Sequence, residues 1–121
     1  MGLDMYAFET RTPIVEVDFE SPNERLNIAR WRKHPNLHGW MEALYYRKGG
    51  VAEDFNCVRV RLDAADIDAL EDAVVNDRLP ITTDRFYGES GPERVNDDLW
   101  FVRTARADIA NGWFIYYESN W

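Results

Sequence analysis

The sequence predicts an α+β fold: one domain, residues 1–121, with a mixed or antiparallel sheet of about four to five strands and about three helices packed on it. Three observations carry this. Several short stretches alternate apolar and polar residues with a period of two. Three other stretches repeat apolar residues at helical spacing and are bounded by capping residues. The two kinds of stretch do not alternate in the regular unit that builds a parallel, doubly wound sheet.

Taken in order, Leu3 to Phe8 is an apolar run broken by Asp4 and suits a buried first strand. Pro13 to Phe19 sets Ile14, Glu16 and Asp18 against Val15, Val17 and Phe19, which predicts a strand with one wet face. Ser21-Pro22-Asn23 is a turn. Glu24 to Lys33 fits either a strand or a helix. Pro35 disfavours helical geometry at His34 and fits the first helical turn, so a helix starts near Pro35, runs through Leu37, Trp40, Met41, Leu44 and Tyr45, and ends at Gly49-Gly50. Asn56 to Leu62 alternates as a central strand. Asp63 caps the next helix, with Asp66 in the capping-box position and Ile67, Leu70, Ala73 and Val74 as its apolar stripe. Leu79 to Arg94 is a long loop. Asn96, Asp97 or Asp98 caps a third helix carrying Leu99, Val102, Ala105, Arg106 and Ile109, and Asn111-Gly112 stops it. Trp113 to Glu118 is a closing aromatic strand.

A chain of 121 residues with 45% hydrophobic content buries enough surface to fold without metals or disulfides. The single Cys57 excludes an internal disulfide and reads as a reduced thiol in or beside a strand. No window approaches a membrane span, and the first residues lack the pattern of a signal peptide, so a cytoplasmic protein is expected. The net charge of -8 resides wholly in residues 51–121. That half repels phosphate backbones and argues against general nucleic-acid binding. It suits a basic protein partner or plain solubility.

Candidate chemistry concentrates between Arg30 and Glu42, which hold both histidines, two of the five tryptophans and three cations. Arg30, Arg32, Lys33 and His34 precede a helix start, where free amides and the helix dipole favour anions, and Trp31 offers a ring for stacking. His34, His38 and Glu42 share a helical spacing that resembles a zinc site, but Pro35 removes His34 from the spiral and Glu42 lies about 12 Å from it along the axis. No metal and no cofactor is therefore expected. The loop residues Thr82, Thr83, Arg85 and Tyr87 supply hydroxyls, a cation and a ring that would cover a pocket. The carboxylates Asp63, Asp66, Asp68, Glu71 and Asp72 read as one solvated helix face.

The opening Met1-Gly2-Leu3-Asp4-Met5-Tyr6, the central Trp31-Arg32-Lys33-His34-Pro35-Asn36-Leu37-His38-Gly39-Trp40-Met41 and the final Tyr116-Tyr117-Glu118-Ser119-Asn120-Trp121 resemble a family of small bacteriophage and bacterial proteins of uncharacterised role. Its members often carry an automatic label, phosphoglycerate kinase. That enzyme closes two domains around a nucleotide, whereas this sequence has one small domain and no nucleotide loop. The resemblance implies a phage or prophage setting and transfers no catalytic residue.

Two readings follow. The leading one is a small acidic binding or regulatory protein, not an enzyme, that meets a host or phage protein and inhibits a nucleic-acid-binding or defence protein by charge mimicry. The other is a small-ligand protein or enzyme, taking an anion or phosphate, centred on Arg30, Arg32, His34 and His38 with the Thr82–Tyr87 loop as cover.

Overall fold

The computed structural model describes residues 2–83 and 87–121. Among these residues four strands, β1 (Asp4–Thr10), β2 (Leu26–Arg32), β3 (Arg59–Leu62) and β4 (Phe114–Asn120), form one antiparallel sheet in the order β2-β1-β4-β3. Three helices among the described residues accompany it: α1 (Pro35–Arg47), α2 (Ala64–Val75) and α3 (Arg94–Ala110). The α+β architecture is thus as expected, and the sheet is antiparallel throughout.

Strand alternation sorts the side chains onto two faces. Met5, Ala7, Trp31, Val60, Leu62, Ile115 and Tyr117 form one face and make a single core with Leu37, Met41, Leu44 and Tyr45 of α1, Ile67, Leu70 and Val74 of α2, and Phe101, Val102 and Ala105 of α3. The opposite face carries aromatic rings and arginines. Phe8 stacks on Tyr116, and Arg25, Arg30 and Arg61 lie over Phe8, Tyr6 and Phe114.

Three expectations change. Pro13 to Phe19 alternates but forms no strand. It crosses the arginine-rich face as an irregular strap, burying Ile14 and leaving Val15 exposed. Its carbonyls at Ile14 and Phe19 accept from the Arg61 and Arg59 guanidinium groups instead of a neighbouring backbone. Alternation describes a residue's two sides; it does not supply a ladder partner. Asn56 to Leu62 yields only β3, and at the sheet edge. Cys57 adopts a left-handed backbone (φ +58°) outside the strand and is exposed. The two central strands are β1 and β4, and Ile115, Tyr116 and Tyr117 of β4 are fully buried.

The helix signals hold more closely. Asp63 and Asp66 form the reciprocal capping box of α2. Helix α3, however, begins at Arg94 with Glu93 at its cap, so Asn96, Asp97 and Asp98 lie inside it. Asp98 then shares the inward stripe with Phe101, Val102 and Ala105. That places a carboxylate in the core, and the candidate site is built around it. Among the described residues, no helix is long and apolar enough to cross a membrane.

Candidate functional site: a serine, histidine and aspartate beside a cavity

A backbone kink brings the first histidine inside. Trp31 faces the core and Arg32 faces away. In a continued strand His34 would follow Arg32 outward. Lys33 instead adopts a left-handed backbone (φ +55°), its amide donating to the Leu3 carbonyl at 2.8 Å, and the chain turns into α1 with His34 buried (1% exposed). Both Trp31 and His34 therefore reach Asp98. The Trp31 indole N–H donates to Asp98 Oδ1 at 3.1 Å, and His34 Nε2 lies 2.8 Å from Asp98 Oδ2.

The remaining His34 nitrogen, Nδ1, lies 2.6 Å from Ser90 Oγ. Ser90 Oγ also accepts the backbone N–H of Asn36 at 3.1 Å. Donor logic fixes the Asp98 end of the chain. A carboxylate only accepts, so His34 Nε2 carries a proton toward Asp98. In the neutral ring Nδ1 accepts from the Ser90 hydroxyl, whose oxygen also takes the Asn36 N–H. The sequence Asn36 N–H, Ser90, His34, Asp98, Trp31 is hydrogen-bonded end to end.

The 79–94 loop docks on α1 through Asn36 and Gly39. The Asn36 side-chain carbonyl accepts the Thr82 N–H at 3.0 Å while its own amide holds Ser90. Gly39 sits mid-helix, where glycine is unfavourable by about 1 kcal/mol relative to alanine. A Cβ there would collide with the Thr82 side chain. The glycine thus makes room for the loop. Helix α1 has no capping side chain of its own, since His34 makes no such bond; Ser90 performs that service from across the fold.

A cavity of about 260 Å³ opens beside this network. Its polar side comprises His34, Asn36, Ser90, Arg94 and Asp98. Its apolar side comprises Ala73, Val74, Leu79 and Val95, with Asp77 on the α2 side. The starts of α1 and α3 both border it, and neither carries a side-chain cap from its own N-cap residue. Arg94 donates to the Arg32 carbonyl and so ties the start of α3 to the β2–α1 kink.

The sequence-derived candidates separate. Trp31, His34 and the loop meet at this network. Arg30 and Arg32 lie on the opposite sheet face, 62% and 60% exposed, facing Asp4 at 3.9 and 3.4 Å. Lys33 packs its aliphatic stem against Gly88. His38, one turn beyond His34, enters an aromatic cluster of Phe55, Tyr87 and Tyr117. Its Nδ1 pairs with the Tyr117 hydroxyl at 2.7 Å, and burial pushes its imidazole down to about 4. The two histidines therefore do not converge. Thr82 docks the loop, Thr83 is exposed, and Arg85 lies outside the described residues. Among the described residues no three histidine, cysteine or carboxylate groups gather as a metal site.

The sequence alone does not mark Ser90, Asn36 or Asp98 as site residues. The one local signal is Gly88-Glu89-Ser90-Gly91, a serine with glycines two before and one after it. It falls short of the nucleophile-elbow pattern, whose second glycine comes two residues after the serine. Fold and site together describe a small antiparallel α+β domain with a buried polar relay at the edge of its helical layer. Comparison with known proteins gives no matching family model, no matching curated protein and no matching solved structure.

Proposed function

We propose that the protein is a small-ligand protein whose cavity takes a short-chain carboxylate. The observation that carries this is the convergence of the Ser90–His34–Asp98 network and the starts of two helices on one cavity of about 260 Å³. That volume lies below the roughly 300–1,000 Å³ of drug-sized sites. Helix starts favour a negative group, and the Ala73, Val74, Leu79 and Val95 wall suits a few methylenes. Arg30 and Arg32 drop out of this reading because they sit on the other face of the sheet.

Butyrate is the probe. Titration should move the NMR signals of the Trp31 indole N–H and the His34 ring, with Trp113, which follows the C-terminal end of α3 and does not line the cavity, as the control. If millimolar butyrate leaves both reporters where they were, the cavity is not a carboxylate site.

The regulatory reading, a basic host or phage partner met by the acidic second half, draws support from Trp100, 57% exposed on α3 beside Asp97. The α2 face offers it less. Arg106 bridges Asp68 and Glu71, and Arg78 pairs with Asp72. A complex held by charge should weaken steeply with salt; capture of a basic protein that survives high salt unchanged would reject charge mimicry.

A further inference from the structure

We infer that Ser90 is a nucleophile and that the cavity hydrolyses short-chain carboxylic esters. This rests on the carboxylate-cavity reading, because the acid released is the ligand class proposed for that site.

The case is geometric. A serine hydroxyl is a weak nucleophile until an adjacent base accepts its proton and a third group orients that base. Here Ser90 Oγ lies 2.6 Å from His34 Nδ1, and His34 Nε2 lies 2.8 Å from Asp98 Oδ2. Both distances are within hydrogen-bond reach for such a relay. The ring is used in the reverse sense to the familiar serine hydrolases, with Nδ1 toward the nucleophile and Nε2 toward the carboxylate. In the neutral ring the roles are unchanged, since the proton-bearing nitrogen faces the acid and the bare one faces the hydroxyl. Trp31 and His34 both donate to Asp98, so its carboxylate is held in place on two sides. The Asn36 N–H at 3.1 Å from Ser90 Oγ, at the start of α1, fixes the position of the hydroxyl beside His34 Nδ1.

Burial separates the parts. All three border the cavity, but His34 and Asp98 are each only 1% exposed, while Ser90 is only partly buried. The base and its orienting acid are shielded from water, and the hydroxyl is presented to whatever enters. A purely structural cap for α1 requires only the Asn36–Ser90 bond. It does not require a buried base on the serine's other side, nor a buried carboxylate behind that base.

The chemistry balances without an external cofactor. Ser90 Oγ attacks the ester carbonyl carbon as its proton passes to His34 Nδ1. The carbon–oxygen bond to the alcohol breaks, His34 returns the proton to the departing oxygen, and the alcohol leaves an acyl group on Ser90. Water then attacks this acyl-serine and gives a proton to His34. The bond to Ser90 breaks, the proton returns to Ser90 Oγ, and the carboxylic acid departs.

The first test uses the unaltered protein. A small alkyl fluorophosphonate should label it once, at Ser90, as located by peptide mass spectrometry, and p-nitrophenyl butyrate should be hydrolysed with an initial burst. Prior labelling should abolish the hydrolysis. Ser90→Ala should lose labelling completely, and Asp98→Asn should lower hydrolysis by at least about tenfold and change the shape of its pH–rate profile, a change that loss of folded protein alone would not produce. Absence of label at Ser90 in the unaltered protein, or labelling elsewhere with equal hydrolysis in Ser90→Ala, overturns the nucleophile assignment. Butyrate titration separates the two levels. Butyrate binding without labelling removes the esterase and keeps the site, whereas loss of both removes the esterase and the carboxylate reading together.

Discussion

His34 and His38 stand one turn apart in the same segment, and the fold gives them opposite surroundings. His34 ends in a polar relay with a partner on each nitrogen and a cavity beside it. His38 ends among Phe55, Tyr87 and Tyr117, with Nδ1 on the Tyr117 hydroxyl and Nε2 without a hydrogen-bond partner among the described residues. The spacing of two histidines along a helix does not decide what they do. The elements packed against each one decide it: α3 and the 79–94 loop for His34, the sheet and the loop's aromatic end for His38.

The largest expected effect breaks the polar side. Asp98→Ala leaves the Trp31 indole and the His34 ring donor buried without an acceptor, and should destabilise the protein by about 3–5 kcal/mol in urea unfolding. A loss below about 1 kcal/mol would mean that the relay is not held as tightly as its distances indicate.

The next effect belongs to the aromatic side and is read by pH. The His38 imidazole is pushed down from 6.5 to about 4 by burial. The unfolded chain therefore takes up its proton first. His38 contributes full stability above about pH 6.5, and this is lost as pH falls through about 4, by about 3 kcal/mol in all. Glu9 acts in the opposite direction. Burial and the neighbouring Asp108 carboxylate raise it to about 7, so its contribution is complete below about pH 4.5 and is lost as pH rises through about 7. Glu9→Gln should remove the second slope and leave the first, and His38→Phe should do the reverse. Chemical denaturation across pH 4–8 reads both, and an acid limb that persists in His38→Phe would assign it to another group.

A smaller effect sharpens the contrast at the loop. Gly39→Ala should lower stability by about 1–3 kcal/mol through collision with Thr82, despite alanine's better helix propensity. It should also shift the Ser90 and His34 signals more than those of His38. The smallest is Ser90→Ala, which removes the distant cap of α1 and should cost about 1 kcal/mol in thermal or urea unfolding.

Legibility in the sequence followed the range of the interactions involved. The α2 capping box and the start of α1 at Pro35 were readable because both are settled within a few residues. The alternation of Pro13 to Phe19 misled because a strand needs a neighbour, and this segment found arginine side chains instead. Asp98 read as a cap because carboxylates near a helix start usually are. Nothing local said that Trp31 and His34, more than sixty residues away, would meet it. Ser90 was harder still, since its partners come from α1 and its own loop has no periodicity.

By itself the amino-acid order determined an antiparallel-compatible α+β domain, its three helices and the segment rich in histidine and tryptophan. Those follow from periodicity and capping, which act over one or two turns of chain. Only the tertiary structure decided that Arg30 and Arg32 face away from His34, that His38 is a core residue, and that Ser90, His34 and Asp98 form one relay. The first follows from the pairing of β2 with β1, the second from the rings that Phe55, Tyr87 and Tyr117 bring to His38, and the third from the left-handed turn at Lys33 and the stripe of α3 that carries Asp98; all are contacts between segments distant in the chain.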